Sequence, residues 1–317
     1  MLDTLKGFHI EPTNICTLKC PRCARTKFIE KFPRKWKNSN LNLQDLKNFL
    51  DIDLKGKTLG LNGNYGDPMY YPDLIPLIKH FKSVGCNIVI HTNGSYVDDA
   101  KWEQLSDVLD ETDIVNFSID GIPSNFTKYR INADWPSIER GIKIMTKSRA
   151  WTVWKFIVFS YNINNIEEAK QLSQQLGIKE FVLNNSDRWD GSDDWLDPKK
   201  YINIDNSTAT GILSNGSFDG ARSNSIINWK QRITDNEINP VCKITNSMHF
   251  ISADGFYLPC CWAGDHRFYY ASDFYKQKAK FEISNTTLSQ VLEDLENFFN
   301  TIEIEKPKFC TFNCPKL

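Results

Sequence analysis

The chain has 317 residues, 41% hydrophobic and 24% charged, with a formal net charge of −1. That balance suits a soluble globular protein with one large core and a small appendage, and it implies no general electrostatic pull on nucleic acid. No apolar run approaches the ~20 residues of a membrane helix, and "MLDTLKGFHIEPTN" lacks the apolar stretch and cleavage site of a signal peptide, so no membrane partner and a cytoplasmic location are expected.

The first β-rich run, "GFHIEP", leads straight into "NICTLKCPRCAR", which sets Cys16, Cys20 and Cys23 within eight positions. Next comes "RTKFIEKFPRKWK" (25–37), read as a solvated basic loop near the mouth of a site, able to receive an acidic peptide, a phosphate or a flavodoxin-like donor. Helical spacing follows in "LNLQDLKNFLDI", then a strand in "KTLGLNG". The helix "PDLIPLIKHFKSVG" opens on a proline suited to the first turn and closes on Gly85. The alternation continues through "NIVIHTN", "DDAKWEQLSDVL", "DIVNFSID", "DWPSIERGIKIMTKS", "TVWKFIVFS", "NIEEAKQLSQQLG" and "EFVLNN", with Gly177 capping the last helix. Six strands alternating with helices predict parallel βα units with right-handed crossovers. Near-continuous apolar runs such as "FIVF" fit strands buried on both faces. The pattern leaves open a doubly wound sheet or a full or partial β/α barrel. The cysteines stand where a GxGxxG fingerprint would follow the first strand, at the strand end that carries active sites in α/β folds.

Residues 1–186 thus form one unit. Residues 187–241 are rich in Asp, Asn, Ser and Gly and read as a linker or lid, in which Trp189 and Trp195 either line a pocket or pin the loop. Residues 242–317 form a small α+β unit carrying five of the nine cysteines. Cys86, alone near a helix end, reads as a core residue.

This clustering points to metal binding or catalysis in a reducing compartment rather than to a disulfide framework. Structural zinc is closed by four ligands. Three cysteines can instead hold three irons of a [4Fe–4S] cube and leave the fourth iron open to a substrate or cofactor.

CxxxCxxC after the first strand of a βα unit resembles the radical S-adenosylmethionine (radical SAM) superfamily. The resemblance implies a partial (β/α)6 TIM-like barrel with Cys16, Cys20 and Cys23 holding the cluster and SAM chelating its open iron. It also implies reductive cleavage of SAM to a 5′-deoxyadenosyl radical that abstracts a substrate hydrogen, fed by a flavodoxin- or ferredoxin-like reductant. "GNYGDPMYYPDL" is similar to the family's "GGEP…PD" segment, which assigns Gly66 and Asp67 to the amino group of SAM, with Asp in place of the usual Glu. "IHTNG" matches the strand-three "TNG" and brings in Thr92 and Asn93; "FSIDG" matches "SxDG", with Ser118 toward the ribose and Asp120 a further polar candidate. Arg130 falls where relatives carry a basic residue for the SAM carboxylate, and Asn162 where they carry an Asn near the ribose or adenine. Arg22 occupies a position at which many relatives have an aromatic residue against the adenine.

At the other end, twelve residues separate Cys242 from Gly255 and four separate Gly255 from Cys260, which resembles the CX9–15GX4C signature of SPASM and twitch extensions. That resemblance implies a β-hairpin turned at Gly255 and an auxiliary [4Fe–4S] cluster on Cys242, Cys260, Cys310 and Cys314, with Cys261 surplus. Structural zinc on the same four cysteines is the alternative. His249 and His266 lie nearby without a ligand-like pairing. The expected activity is radical SAM oxidation or cross-linking of a peptide or protein; the alternatives are dehydrogenation of a small molecule, or a non-catalytic zinc or iron–sulfur binding or electron-transfer protein. The chain starts at its first strand, which weakens the expectation of a leader-peptide domain ahead of it.

Overall fold

The structure, a computed structural model, describes residues 5–184, 195–198, 248–265 and 273–293. All six strands read from the sequence form: β1 (Gly7–Ile10), β2 (Thr58–Leu61), β3 (Asn87–Thr92), β4 (Ile114–Ser118), β5 (Trp151–Ile157) and β6 (Glu180–Asn184). Each pairs in parallel with the next, and the spatial order follows the sequence order. A doubly wound sheet would reverse its order at a switch point. Here there is none, so successive right-handed crossovers leave their helices on one side. The sheet is an unclosed β/α barrel.

The helices α2 (Leu43–Phe49), α3 (Leu74–Ser83), α4 (Asp99–Val108), α5 (Trp135–Met145) and α6 (Ile166–Gln175) lie within the segments that show helical spacing. One element differs from expectation. Residues Ala24–Lys31 form a helix, α1, where a basic loop is read from the sequence. Cys23 caps it with extended backbone, and Phe28 gives it one buried anchor, 5.5 Å from the Phe32 ring and 5.8 Å from Trp36. A single apolar anchor among lysines and arginines is too weak a pattern to announce a helix.

The two faces of the sheet differ. Alternate residues Phe8, Ile10, Leu59, Leu61, Ile88, Ile90, Val115, Phe117, Trp154 and Phe156 are fully buried in the main core, with Leu77, Phe81, Trp102 and Ile142 from the helices. The opposite, concave face carries His9, His91, Asn116, Ser118 and Lys155 among smaller apolar residues. The expectation of strands apolar on both faces therefore holds only for the helix-covered face.

The described C-terminal residues continue the same sheet. Strand β7 (His249–Ile251) lies parallel to β1, and β8 (Tyr257–Leu258) returns antiparallel to β7. Their hairpin turns at Gly255, whose φ of 82° is the left-handed region that favours glycine. Phe250, Tyr257 and Leu258 join the barrel's own core, and the Tyr257 ring lies 5.6 Å from Phe49. Cys86 is a core residue, its Sγ 3.4 Å from the Leu54 carbonyl. Among the described residues, no helix is long and apolar enough to cross a membrane.

Candidate cofactor site at the cysteine loop

The loop after β1 is held along its length by backbone and amide contacts. Asn14 accepts from Ser39 N at 2.8 Å and donates to Lys37 O at 2.9 Å. Asp67 N donates to Ile15 O at 3.0 Å. Thr17 meets the Tyr70 hydroxyl at 2.8 Å, and its carbonyl accepts from Asn132 at 2.9 Å. Lys19 N donates to Ile131 O at 3.0 Å. Gly66 makes the close approach possible: a Cβ there would lie 1.8 Å from the Thr13 carbonyl oxygen. The β2 loop therefore rests backbone to backbone on the cysteine loop.

Two buried aspartates organise what surrounds the thiols. Asp67 accepts from Thr92 Oγ1 (2.8 and 3.0 Å), Asn93 N (2.6 Å), Met69 N (3.0 Å) and the Asn93 side-chain amide. These donors take up the acceptor positions of both oxygens. Burial raises the Asp67 pKa, and the hydrogen bonds only partly offset this. The Asn93 amide also reaches Cys16 Sγ at 3.7 Å, so one continuous chain joins the β2 loop, the end of β3 and the first cysteine.

Asp120 is tied differently. Its Oδ2 accepts from Arg130 Nε at 2.7 Å and its Oδ1 from Ile157 N at 2.8 Å. Its carbonyl accepts from the Tyr161 hydroxyl and, at 3.1 Å, from Asn162 Nδ2. Asn162 is fully buried and also bonds Ile157 O (2.9 Å) and Phe159 N (2.8 Å), which folds the end of β5 against the end of β4. Burial alone would lower the Arg130 pKa; Asp120, with Cys20 adding to it, raises it instead. Ser118 is half-buried on the concave face and opposite Lys155.

The cysteines sit on a separate apolar cluster. Leu18, Cys20, Tyr129, Phe159 and Leu196 are buried together, with Cys16, Cys23, Ile157 and Tyr161 packed against them. Burial pushes the Cys16 thiol up to about 12, with Asp67 and the other two cysteines adding to the shift. Crowded, desolvated thiols of this kind give up their protons only to a cationic partner. Cys23 stands at the N-cap of α1. Among the described residues, no three His, Cys, Asp or Glu side chains are placed to share one metal ion. The soft donor set and the dry cluster around it fit an iron–sulfur cube.

Three contributors carry no sequence signal. Glu11, just past β1, is buried, with Oε1 accepting from Tyr65 N (2.7 Å) and Gly66 N (3.1 Å). Burial raises its pKa to about 8, against the hydrogen bonds from Tyr65, Gly66 and Ala253. Tyr70 bonds Ser95 O at 2.5 Å as well as Thr17, and Tyr161 closes the Asp120 centre. Only partner geometry picks them out.

At the other end, Cys260 and Cys261 are half-buried in a turn that docks on the β2 loop: Asn64 donates to Cys261 O at 2.9 Å and the Tyr65 hydroxyl to Gly264 O at 3.2 Å. Cys242, Cys310, Cys314, His266 and Trp189 lie outside the described residues. His249 is buried at the start of β7, bonded to the Tyr257 hydroxyl, and burial lowers its pKa to about 4.

Comparison with known proteins adds to this geometry. The family described as the Radical SAM superfamily matches residues 10–175. No curated protein sequence matches significantly. Among solved structures, Streptococcus suis SuiB bound to S-adenosylmethionine is similar at 14% identity and a TM-score of 0.55, covering 88% of this chain and 66% of that one. SuiB bound to its precursor peptide SuiA is similar at 14% identity and a TM-score of 0.54, covering 82% and 61%. The chain thus spans just under two thirds of SuiB. AnSMEcpe with bound AdoMet and Cp18Cys peptide is similar at 16% identity and a TM-score of 0.56, covering 98% and 88%.

Proposed function

This chain belongs to the radical SAM superfamily, and from that premise we propose that it cleaves SAM at the cysteine loop and uses the product radical to oxidise or cross-link a peptide. When bound on Cys16, Cys20 and Cys23, a [4Fe–4S] cluster supplies the electron for that cleavage. The observation that carries the reading is the chain Asp67–Asn93–Cys16, which ties a buried anion to the first thiol at the C-terminal end of the barrel.

The residues divide the remaining work. The β2 loop at Gly66 offers backbone to the amino group of SAM. Asp67 acts at one remove: its oxygens hold Thr92 and Asn93 in place, and its charge, hydrogen-bonded only by neutral donors, attracts the ammonium. Arg130, fixed by Asp120, has further guanidinium donors for the carboxylate of SAM. Asn162 sets the end of β5 against which the ribose and adenine rest, and Ser118 faces the same space. Tyr129, Phe159 and Leu196 exclude water from the thiols. A flavodoxin- or ferredoxin-like reductant is the expected electron source. Cys260, with Cys242, Cys310 and Cys314, is assigned to an auxiliary cluster. Peptide as the substrate class is supported by the peptide-bound structures of SuiB and anSMEcpe.

Iron and sulfide per chain, measured after anaerobic reconstitution, test this together with 5′-deoxyadenosine formed from SAM and dithionite. The variant with Cys16, Cys20 and Cys23 all changed to Ala should lose about four irons and all product. Product from that variant would refute the site. About four irons in the wild type instead of about eight would remove the auxiliary cluster.

A further inference from the structure

The segment that runs on from the cysteines concentrates positive charge. From Lys19 to Lys37 it holds eight basic residues and one acid, Glu30, in a chain whose net charge is −1, so the remainder is acidic on balance. Phe28 turns one side of α1 inward, and Lys27, Lys31, Arg34, Lys35 and Lys37 are exposed on α1 and the turn after it. Among the described residues, no ion pair engages any of these five cations. Lys31 Nζ and Lys35 Nζ stand 5.3 and 5.2 Å from the centre of the same Phe32 ring. A ring face attracts a cation but brings no net charge. Two ammoniums gathered four residues apart without an anion repel each other, and an acidic partner relieves that repulsion.

This charged face is tied to the cysteine loop at both ends. Lys27 N donates to Cys23 O at 3.0 Å, which sets Lys27 one helical turn from a thiol-bearing residue. Arg25 Nη1 donates to Leu18 O at 3.3 Å, and its guanidinium lies over Trp36, 5.5 Å from the ring centre. Trp36 lies 5.7 Å from the Tyr65 ring, and Lys37 O accepts from Asn14 Nδ2 at 2.9 Å. The exposed cations therefore stand on backbone that is fixed to the loop carrying Cys16, Cys20 and Cys23.

We propose that α1 and the turn after it, through Lys27, Lys31, Arg34 and Lys35, dock a small acidic electron-carrier protein beside the cysteine loop. The proposal rests on the reading that the three cysteines hold a cluster that takes up an electron. The carrier loses one electron and the cluster gains one; no bond forms or breaks. Electron-transfer encounters bury little surface and rely on complementary charge for steering. A short helix with exposed, unpaired cations supplies that charge. A nucleic acid fits this face less well. Phe28 is buried and Trp36 is engaged by Arg25 and Tyr65, so they offer no open platform for bases. A long polyanion would also run onto the acidic remainder of the chain.

The test measures equilibrium binding and cluster reduction separately, on the reconstituted full chain. The probes are an acidic flavodoxin and an acidic plant-type ferredoxin, with dithionite as a small donor that needs no docking face. The wild type should bind at least one carrier, about tenfold more weakly at ~0.5 M than at ~0.05 M salt. Lys27→Glu with Lys31→Glu should weaken binding of that carrier and slow its reduction of the cluster, each about tenfold, while dithionite reduces both proteins alike. Lys147→Glu with Lys170→Glu, a change of equal charge at exposed residues outside α1, should do neither. A wild type that dithionite cannot reduce would refute the cluster reading and not this one, because carrier binding is read without it. The proposal is overturned if neither carrier shows salt-dependent binding, or if binding is unchanged in the α1 variant or equally lost in the control. Tighter binding of acetyl-hexaglutamate-amide or of a single-stranded oligonucleotide than of either carrier also overturns it.

Discussion

Two buried aspartates, one beyond β2 and one beyond β4, solve the same problem in opposite ways. Asp120 meets a guanidinium at 2.7 Å and one backbone N–H. Asp67 meets backbone, hydroxyl and amide donors, all neutral and all from the β2 loop and the end of β3. A buried ion pair depends on both partners, and removing one strands the other. A carboxylate hydrogen-bonded only by neutral donors has its charge offset only at a distance, here by Arg130, and burial raises its pKa. The difference teaches that the Asp120 side of the site is self-contained, whereas the Asp67 side is built to welcome a cation.

Breaking the ion pair should have the largest effect. Arg130→Met leaves Asp120 buried and without its cation, at a cost of about 3–5 kcal/mol. Urea unfolding of the cluster-free protein checks this, and Asp120→Asn in the same background should recover part of the loss. If Arg130→Met alone is neutral, the two centres do not differ in the way described.

Next is the contact on which the Asp67 centre depends. Gly66→Ala places a Cβ against the Thr13 carbonyl, a backbone atom that cannot swing aside. The β2 loop must lift from the cysteine loop, at a cost of about 3 kcal/mol. Iron content after reconstitution should fall with it. Full iron retention would show that the cysteine loop stands without this support.

Much of this was legible beforehand because periodicity reports which residues face a core. The six strands and five of the helices follow from apolar spacing and from glycine and proline chemistry, and the turn at Gly255 from the resemblance of its spacing from Cys242 and Cys260 to the SPASM and twitch signature. The cysteines announce their own chemistry by type and spacing. Asp67 is findable by its loop, but its bonds to Thr92 and Asn93 cross 25 and 26 residues, and no local pattern encodes them. Helix α1 hides because Phe28 is its single buried residue. Lys155 hides in "TVWKFIVFS" because a single polar residue in an apolar strand gives no sign of which face is concave.

Asp67→Asn sharpens the comparison further. Asparagine keeps the shape but turns one oxygen into a donor facing the donors of Asn93 or Met69, at a cost of about 2 kcal/mol. Because the charge is lost as well, SAM binding should weaken beyond what destabilisation explains. Equilibrium binding of SAM to the folded, reconstituted variant separates the two effects. Unchanged affinity would mean that the Asp67 charge plays no part in holding the ammonium.

The smallest effect, at pH 5, belongs to Glu11, which joins both loops to the C-terminal hairpin. It resembles Asp67 in being buried among backbone N–H donors, from Tyr65, Gly66 and Ala253, and its pKa is raised from 4.5 to about 8. A raised acid pKa means that the folded state holds a proton the unfolded state has released. Its contribution is complete below about 4.5, declines steadily as pH rises, and is gone once pH passes about 8. Glu11→Gln imitates the protonated form, so at pH 5, close to the unfolded pKa, it should change stability by less than about 1 kcal/mol, and above that pH it should be increasingly the more stable of the two. Its signature is in the slope. Melting temperature should fall with pH between 5 and 8 in the wild type, and this component should vanish in Glu11→Gln. Identical slopes in the two proteins would place the charge of Glu11 on the carboxylate at all these pH values, held there by its three N–H donors, and would make Glu11 an anion of the same kind as Asp67, hydrogen-bonded by neutral donors and not by a cation.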